Sequence, residues 1–213
     1  MPEIKICGLS TPETLDAALG AGADWVGFVR FARSPRHVSL DAGRLLSRQA
    51  KGRAGRVVLL VDPEDEDVAA AIEALDPDLI QLHGRESPDR VAAIRAVTGR
   101  PVMKALGIAV RDDLAAVPSY ATVADRLLLD AKAPPGAALP GGNGVSFDWD
   151  LLAGAALPTG TMLSGGLGPG NAAEALARTG LQALDVSSGV ESAPGVKDPA
   201  RIRAFITAIR PGI

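Results

Sequence analysis

Cysteine is almost missing from this chain: one residue, Cys7, in 213. A lone thiol excludes an internal disulfide framework and fits a reducing compartment, so a cytoplasmic protein is expected. Aromatic residues are scarce at 3 %, while Ala, Leu and Val carry the hydrophobic share to 47 %. That is an aliphatic core, ample for a domain of this length. No apolar run reaches the ~18 residues of a transmembrane helix. The chain enters the strand-like EIKIC (3–7) with no charged-then-apolar leader, so neither a membrane association nor a cleaved signal is expected. Lys and Arg are scattered and the formal net charge is −3, which leaves no basic face for nucleic acid. The two histidines, His37 and His83, fall in no metal-ligand spacing, and no metal is expected.

What is present is rhythm. Eight short apolar runs recur: EIKIC (3–7), DWVGFV (24–29), RVVLLV (56–61), DLIQLH (78–83), PVMKAL (101–106), RLLLD (126–130), TMLSG (161–165) and ALDVSS (183–188). A strand, a crossover helix and two loops take about 30 residues, so this is the beat of βα units on a parallel sheet. Helix signals lie between the runs. Ser10 with Glu13 reads as a capping box before Pro12, DPEDEDVAAAIEAL has acids in its first turn, and SPDRVAAIRAVTG and NAAEALARTG end in C-cap glycines. The fifth unit, with Pro118 and little periodicity, predicts a short or irregular helix. Eight units predict a single α/β domain over 1–213, a (β/α)8 TIM barrel. A doubly wound sheet fits less well, because CGLSTPE is not the GxGxxG turn.

Barrel chemistry sits where strands run into the following loops. Alternation puts Lys5 and Cys7 on one face of the first strand and Ile4 and Ile6 on the other. With the isoleucines against the helices, Lys5 and Cys7 point into the barrel, where a lysine needs a charged partner. Gln81 and His83 share a face of the fourth strand, Asp130 ends the sixth, and Asp185 and Ser187 share a face of the eighth. A plainer role also fits each: a small buried thiol, a loop-capping aspartate, hydrogen-bonded rim residues. Two glycine-rich segments, LSGGLGPGN (163–171) and DVSSGVE (185–191), follow the last two strands. Barrels often bind a phosphate there on backbone N–H groups. Arg36, held in a loop by Pro35, suits a carboxylate. The long segment 131–144 has the length of a lid.

In order along the chain, KICGLS, GFVRFARSPRHV, QLHG, LLLDAK, GGNGVSFDW, SGGL and DVSSGVE resemble the phosphoribosylanthranilate isomerase family. The resemblance implies a one-domain (β/α)8 barrel with no cofactor and a small phosphoribosyl substrate, as a monomer or homodimer. It also implies an Amadori rearrangement in tryptophan biosynthesis: N-(5-phosphoribosyl)anthranilate becomes 1-(2-carboxyphenylamino)-1-deoxyribulose 5-phosphate. By motif, Cys7 is the general base, Asp130 the general acid, and Arg36 the contact to the anthranilate carboxylate. Gly165, Gly166, Ser187, Ser188 and Gly189 hold the phosphate, and Lys5, Gln81, His83 and Asp185 complete the residues expected to meet substrate. The family often has threonine where this chain has Asn143. Lys5, two residues before Cys7 on the same face, is expected to lower the thiol pKa.

Two rivals share these features. The histidine-pathway isomerase performs the same rearrangement, but resembles two half-barrels with a phosphate loop in each. Here the glycine loops fall in the second half alone. A barrel that merely binds a phosphorylated metabolite would keep those loops without needing Cys7, Asp130 and Arg36 together.

Overall fold

The computed structural model describes residues 1–133, 136–137, 139, 141–142, 144 and 146–211. Eight parallel strands close on themselves in chain order: β1 (Glu3–Cys7), β2 (Trp25–Val29), β3 (Gly55–Leu60), β4 (Leu79–Leu82), β5 (Val102–Ile108), β6 (Arg126–Ala131), β7 (Met162–Leu163) and β8 (Ala183–Val186). Closure pairs β1 with β8, with Lys5 opposite Asp185. Aliphatic runs make these strands because both faces are buried, inward against the barrel axis and outward against helices.

Alternation sorts the side chains as expected. Ile4, Ile6, Val58, Leu60, Ile80 and Leu82 join the helices in the main core, while Val57, Leu79, Met103, Leu128 and Met162 fill the interior. Cys7, Val29 and Leu59 form a separate apolar group, packed with Phe31 and Val61. Gly27, beside Cys7 on the neighbouring strand, makes room for the two inward residues of β1. A Cβ there would lie 3.0 Å from Cys7 Sγ and 3.4 Å from Lys5 Cε.

The helices are α1 (Pro12–Gly20), α2 (Leu40–Ala50), α3 (Asp65–Leu75), α4 (Pro88–Thr98), α5 (Val117–Ala121), α6 (Ala172–Thr179) and α7 (Pro199–Ile209). Four details bear on the expectations. The N-cap of α1 is Thr11 rather than Ser10. Its Oγ1 accepts the Thr14 N–H at 3.3 Å, and Pro12 starts the helix where a missing N–H does no harm. Glu13 therefore sits in the first turn, where an acid complements the helix dipole. The fifth unit is irregular as expected: a 3₁₀ stretch, Arg111–Ala116, leads into one short turn of α-helix. The sixth departs from the eightfold pattern, since among the described residues only the 3₁₀ turn Trp149–Leu152 lies between β6 and β7. Gly99 and Gly180 end α4 and α6 in the left-handed conformation that glycine permits.

After β8 the chain makes a 3₁₀ turn, Ser188–Val190, and a small antiparallel hairpin, β9 (Glu191–Ala193) and β10 (Val196–Lys197), before α7.

Candidate active site

The strand ends open into a cavity with about 780 Å³ of space between atoms, counted out to its open mouth. Cys7, Arg36, His83, Asp130 and Asp185 line it. The volume suits a small organic ligand.

On one wall, Lys5 Nζ donates to Asp185 Oδ1 at 2.7 Å, and Ser164 Oγ donates to Asp185 Oδ2 at 3.3 Å. Strand register makes this pair, because β8 sets Asp185 directly beside Lys5. A lysine with none of its surface exposed is tolerable only when so partnered. Burial opposes the Lys5 charge, but Asp185 and Cys7 outweigh it and hold the ammonium above its ordinary pKa. The reverse holds for the thiol. Burial pushes Cys7 up, Lys5 pulls it down, Asp185 pushes it up again and Lys197 pulls it down, and burial prevails. Lys5 therefore acts in the direction expected of it without producing a depressed thiol pKa, because a site dry enough to hide the lysine also disfavours the thiolate.

On the facing wall, Gln81 Nε2 lies 2.8 Å from His83 Nδ1, and His83 Nε2 lies 3.2 Å from Asp130 Oδ2. An amide N–H donated to Nδ1 leaves the imidazole proton on Nε2, against the carboxylate. The Ala131 N–H donates to Asp130 Oδ1 at 2.9 Å. Gly141, from the segment 131–144, rests on this pair. A Cβ on it would come within 2.5 Å of His83 Nε2 and 2.6 Å of Asp130 Oδ2. Part of the expected lid, Asn143 included, lies outside the described residues.

Between the walls the cavity has an apolar side and a glycine end. Val29, Phe31, Leu59 and Val61 form the first. Gly165 (φ +90°) and Gly166 (φ +62°) form the second with Ser187 and Ser188. A Cβ on Gly165 would meet the Ala131 nitrogen at 2.6 Å, so the β7 loop can lie this close only as glycine. Among the described residues, the backbone N–H groups of Gly165, Gly166, Ser188 and Gly189 donate to no carbonyl.

Three expected substrate contacts are placed otherwise. Lys5 and Gln81 are wholly buried and have no surface on the cavity. They stand behind Cys7 and His83, because alternation sets them one layer deeper in the barrel. Gly189 also stands back, packed against Leu167, whose carbonyl oxygen a Cβ would meet at 1.8 Å. Arg36 does reach the cavity, but Glu191 already holds it through two hydrogen bonds, from Nε at 2.7 Å and from Nη2 at 2.8 Å. Glu191 and Lys197 were not expected in the site. Pro194–Gly195, a turn signal flanked by these two charges, was the mark in the sequence that could have found them.

The family model for N-(5'-phosphoribosyl)anthranilate (PRA) isomerase matches residues 4–208. The N-(5'-phosphoribosyl)anthranilate isomerase of Azorhizobium caulinodans is 62 % identical over 208 residues, 98 % of this chain and 91 % of that protein. The phosphoribosyl anthranilate isomerase of Thermotoga maritima superposes with a TM-score of 0.87 at 32 % identity, covering 98 % of both chains. A second solved isomerase, in complex with reduced 1-(o-carboxyphenylamino)-1-deoxyribulose 5-phosphate, superposes at 0.84 with 31 % identity, again over 98 % of both chains. A match along nearly the whole length, in sequence and in fold, leaves one conclusion: the chain belongs to the N-(5'-phosphoribosyl)anthranilate isomerase family and is an isomerase.

Proposed function

We propose that Cys7 is the general base and Asp130 the general acid of the family's Amadori rearrangement in this chain. The observation that carries the reading is that a thiol from β1 and a carboxylate from β6 line one cavity, whose remaining surface matches the rest of the substrate. The apolar side of Val29, Phe31, Leu59 and Val61 takes the aromatic ring, and Arg36 takes its carboxylate. The N–H groups of Gly165, Gly166 and Ser188, which donate to no carbonyl among the described residues, take the phosphate.

The chemistry then runs in three moves. The Asp130 carboxyl, held in place by His83 Nε2, gives its proton to the ring oxygen as the ring C1–O bond breaks, leaving an iminium between C1 and the aryl nitrogen and a carboxylate at Asp130. That cation acidifies C2–H, and the Cys7 thiolate removes the proton to give an enolamine. Loss of the enol proton and protonation of C1 yield the C2 ketone. One carbon is oxidised as its neighbour is reduced, so no external electron carrier enters.

The purified protein, given N-(5-phosphoribosyl)anthranilate, should quench the anthranilate fluorescence as it turns substrate over. Cys7→Ala should lower kcat by about 10²–10⁴ with KM little changed, the usual worth of a positioned base. Near-full turnover by Cys7→Ala would refute the thiol's role.

A further inference from the structure

The β9–β10 hairpin forms no part of the barrel, yet it carries two of the least exposed charges in the molecule. The side chains of Glu191 and Lys197 are 4 % and 1 % exposed. The hairpin turn lies directly against the loop that carries Arg36. Gly195 (φ +81°) is there because a Cβ would lie 2.6 Å from the Pro35 carbonyl oxygen. Glu191 accepts four hydrogen bonds: Arg36 Nε and Nη2, the Gly195 N–H at 3.1 Å and Lys197 Nζ at 2.6 Å. Lys197 Nζ also donates to the Ser187 carbonyl at 2.9 Å and to Ser187 Oγ at 3.1 Å, while that hydroxyl donates onward to the Cys7 carbonyl at 3.1 Å. Burial pulls the Lys197 ammonium below its ordinary pKa and Glu191 opposes that pull, but three acceptors around one nitrogen call for all three ammonium protons.

The charges add up in an instructive way. Glu191 alone would cancel Arg36, and a cancelled guanidinium attracts an anion poorly. Lys197, bonded to the same carboxylate, returns the trio to a net charge of +1. Arg36 is the member that lines the cavity, and the Nη1 edge is the one Glu191 does not engage. We infer that Glu191 and Lys197 are positioning residues for the substrate's carboxylate. Glu191 fixes the Arg36 guanidinium by one edge, and Lys197 offsets the charge of Glu191 so that the trio meets the cavity as a cation. This rests on the reading above that Arg36 takes the anthranilate carboxylate.

The test compares two ligands: reduced 1-(2-carboxyphenylamino)-1-deoxyribulose 5-phosphate and its phenylamino counterpart without the carboxylate. Wild type should prefer the first by about ten- to a hundredfold, the worth of a charge-assisted contact. Lys197→Met should erase most of that preference, and Lys197→Arg should keep it. Because the preference is a ratio, any damage to the shared phosphate site divides out. An unchanged ratio in a folded Lys197→Met, or equal weakening of both ligands, overturns the inference. Should Lys197→Met fail to fold, Glu191→Asp decides. That change keeps the charge and withdraws the carboxylate by one methylene, so a retained preference overturns the positioning role and a lost one supports it. A wild type with no preference would remove the assigned role of Arg36, and the inference with it.

Discussion

On the β1–β8 wall, Cys7 stands near Lys5, Asp185 and Lys197, each locked in a buried ion pair. On the β4–β6 wall, Asp130 meets the His83 ring and the Ala131 N–H, and Gln81 backs the histidine through its other nitrogen. Among the described residues no lysine or arginine bonds to Asp130. The difference fits the roles proposed for the two groups. A thiol in a dry barrel ionises only with positive charge near it, and that charge must itself be partnered to be tolerated. A carboxylate that is to hand over a proton is better served by hydrogen-bond partners than by a fixed cation.

Changes that exchange the character of the walls test this contrast. The largest effect is expected at Asp130→Asn, which keeps the shape and removes the transferable proton. kcat should fall by about 10²–10⁴, measured by steady-state fluorescence, with KM within a few-fold of wild type. A fall of less than tenfold would break the division of labour. Next comes Asp185→Leu, which strands Lys5 without a partner in the barrel. Urea unfolding should show a loss of about 3–5 kcal/mol. Adding Lys5→Met to it should recover most of that stability, because removing both charges leaves neither unpaired, but it should not restore turnover. The smallest effect is expected at Gln81→Leu, where one hydrogen bond to His83 is lost. kcat should drop roughly two- to tenfold with KM unchanged. An equal change in KM would return Gln81 to direct contact with substrate.

Much of the β4–β6 wall was legible from local pattern, because Gln81, His83 and Asp130 fall at strand ends that hydrophobic runs delimit. On the thiol wall, alternation placed Lys5 and Cys7 inward and demanded a partner for the lysine. The partner lies 180 positions away and is brought alongside by barrel closure, which no local pattern reports. The same limit applies to Arg36 and Glu191, 155 positions apart. A single arginine in a proline-held loop reads as a carboxylate grip, but its standing occupant comes from a hairpin after the last strand. The N-cap of α1 was misplaced by one residue because Ser10 and Thr11 carry the same hydroxyl chemistry, and position relative to Pro12 decides between them. That only a 3₁₀ turn lies between β6 and β7 among the described residues was foreshadowed only by the length of the 131–144 segment and the prolines within it.

The proposed thiolate base, held back by burial and helped by Lys5, has one direct readout: kcat/KM and the rate of Cys7 alkylation, followed together from about pH 7 to 10. Below the thiol pKa the ionised fraction grows tenfold per pH unit, so both rates should climb together and level off at a shared midpoint. That midpoint should lie above the ~8.5 of a free cysteine, as burial requires, and should move higher still in Lys5→Met. A kcat/KM that stays flat while alkylation titrates would contradict a thiolate base at Cys7.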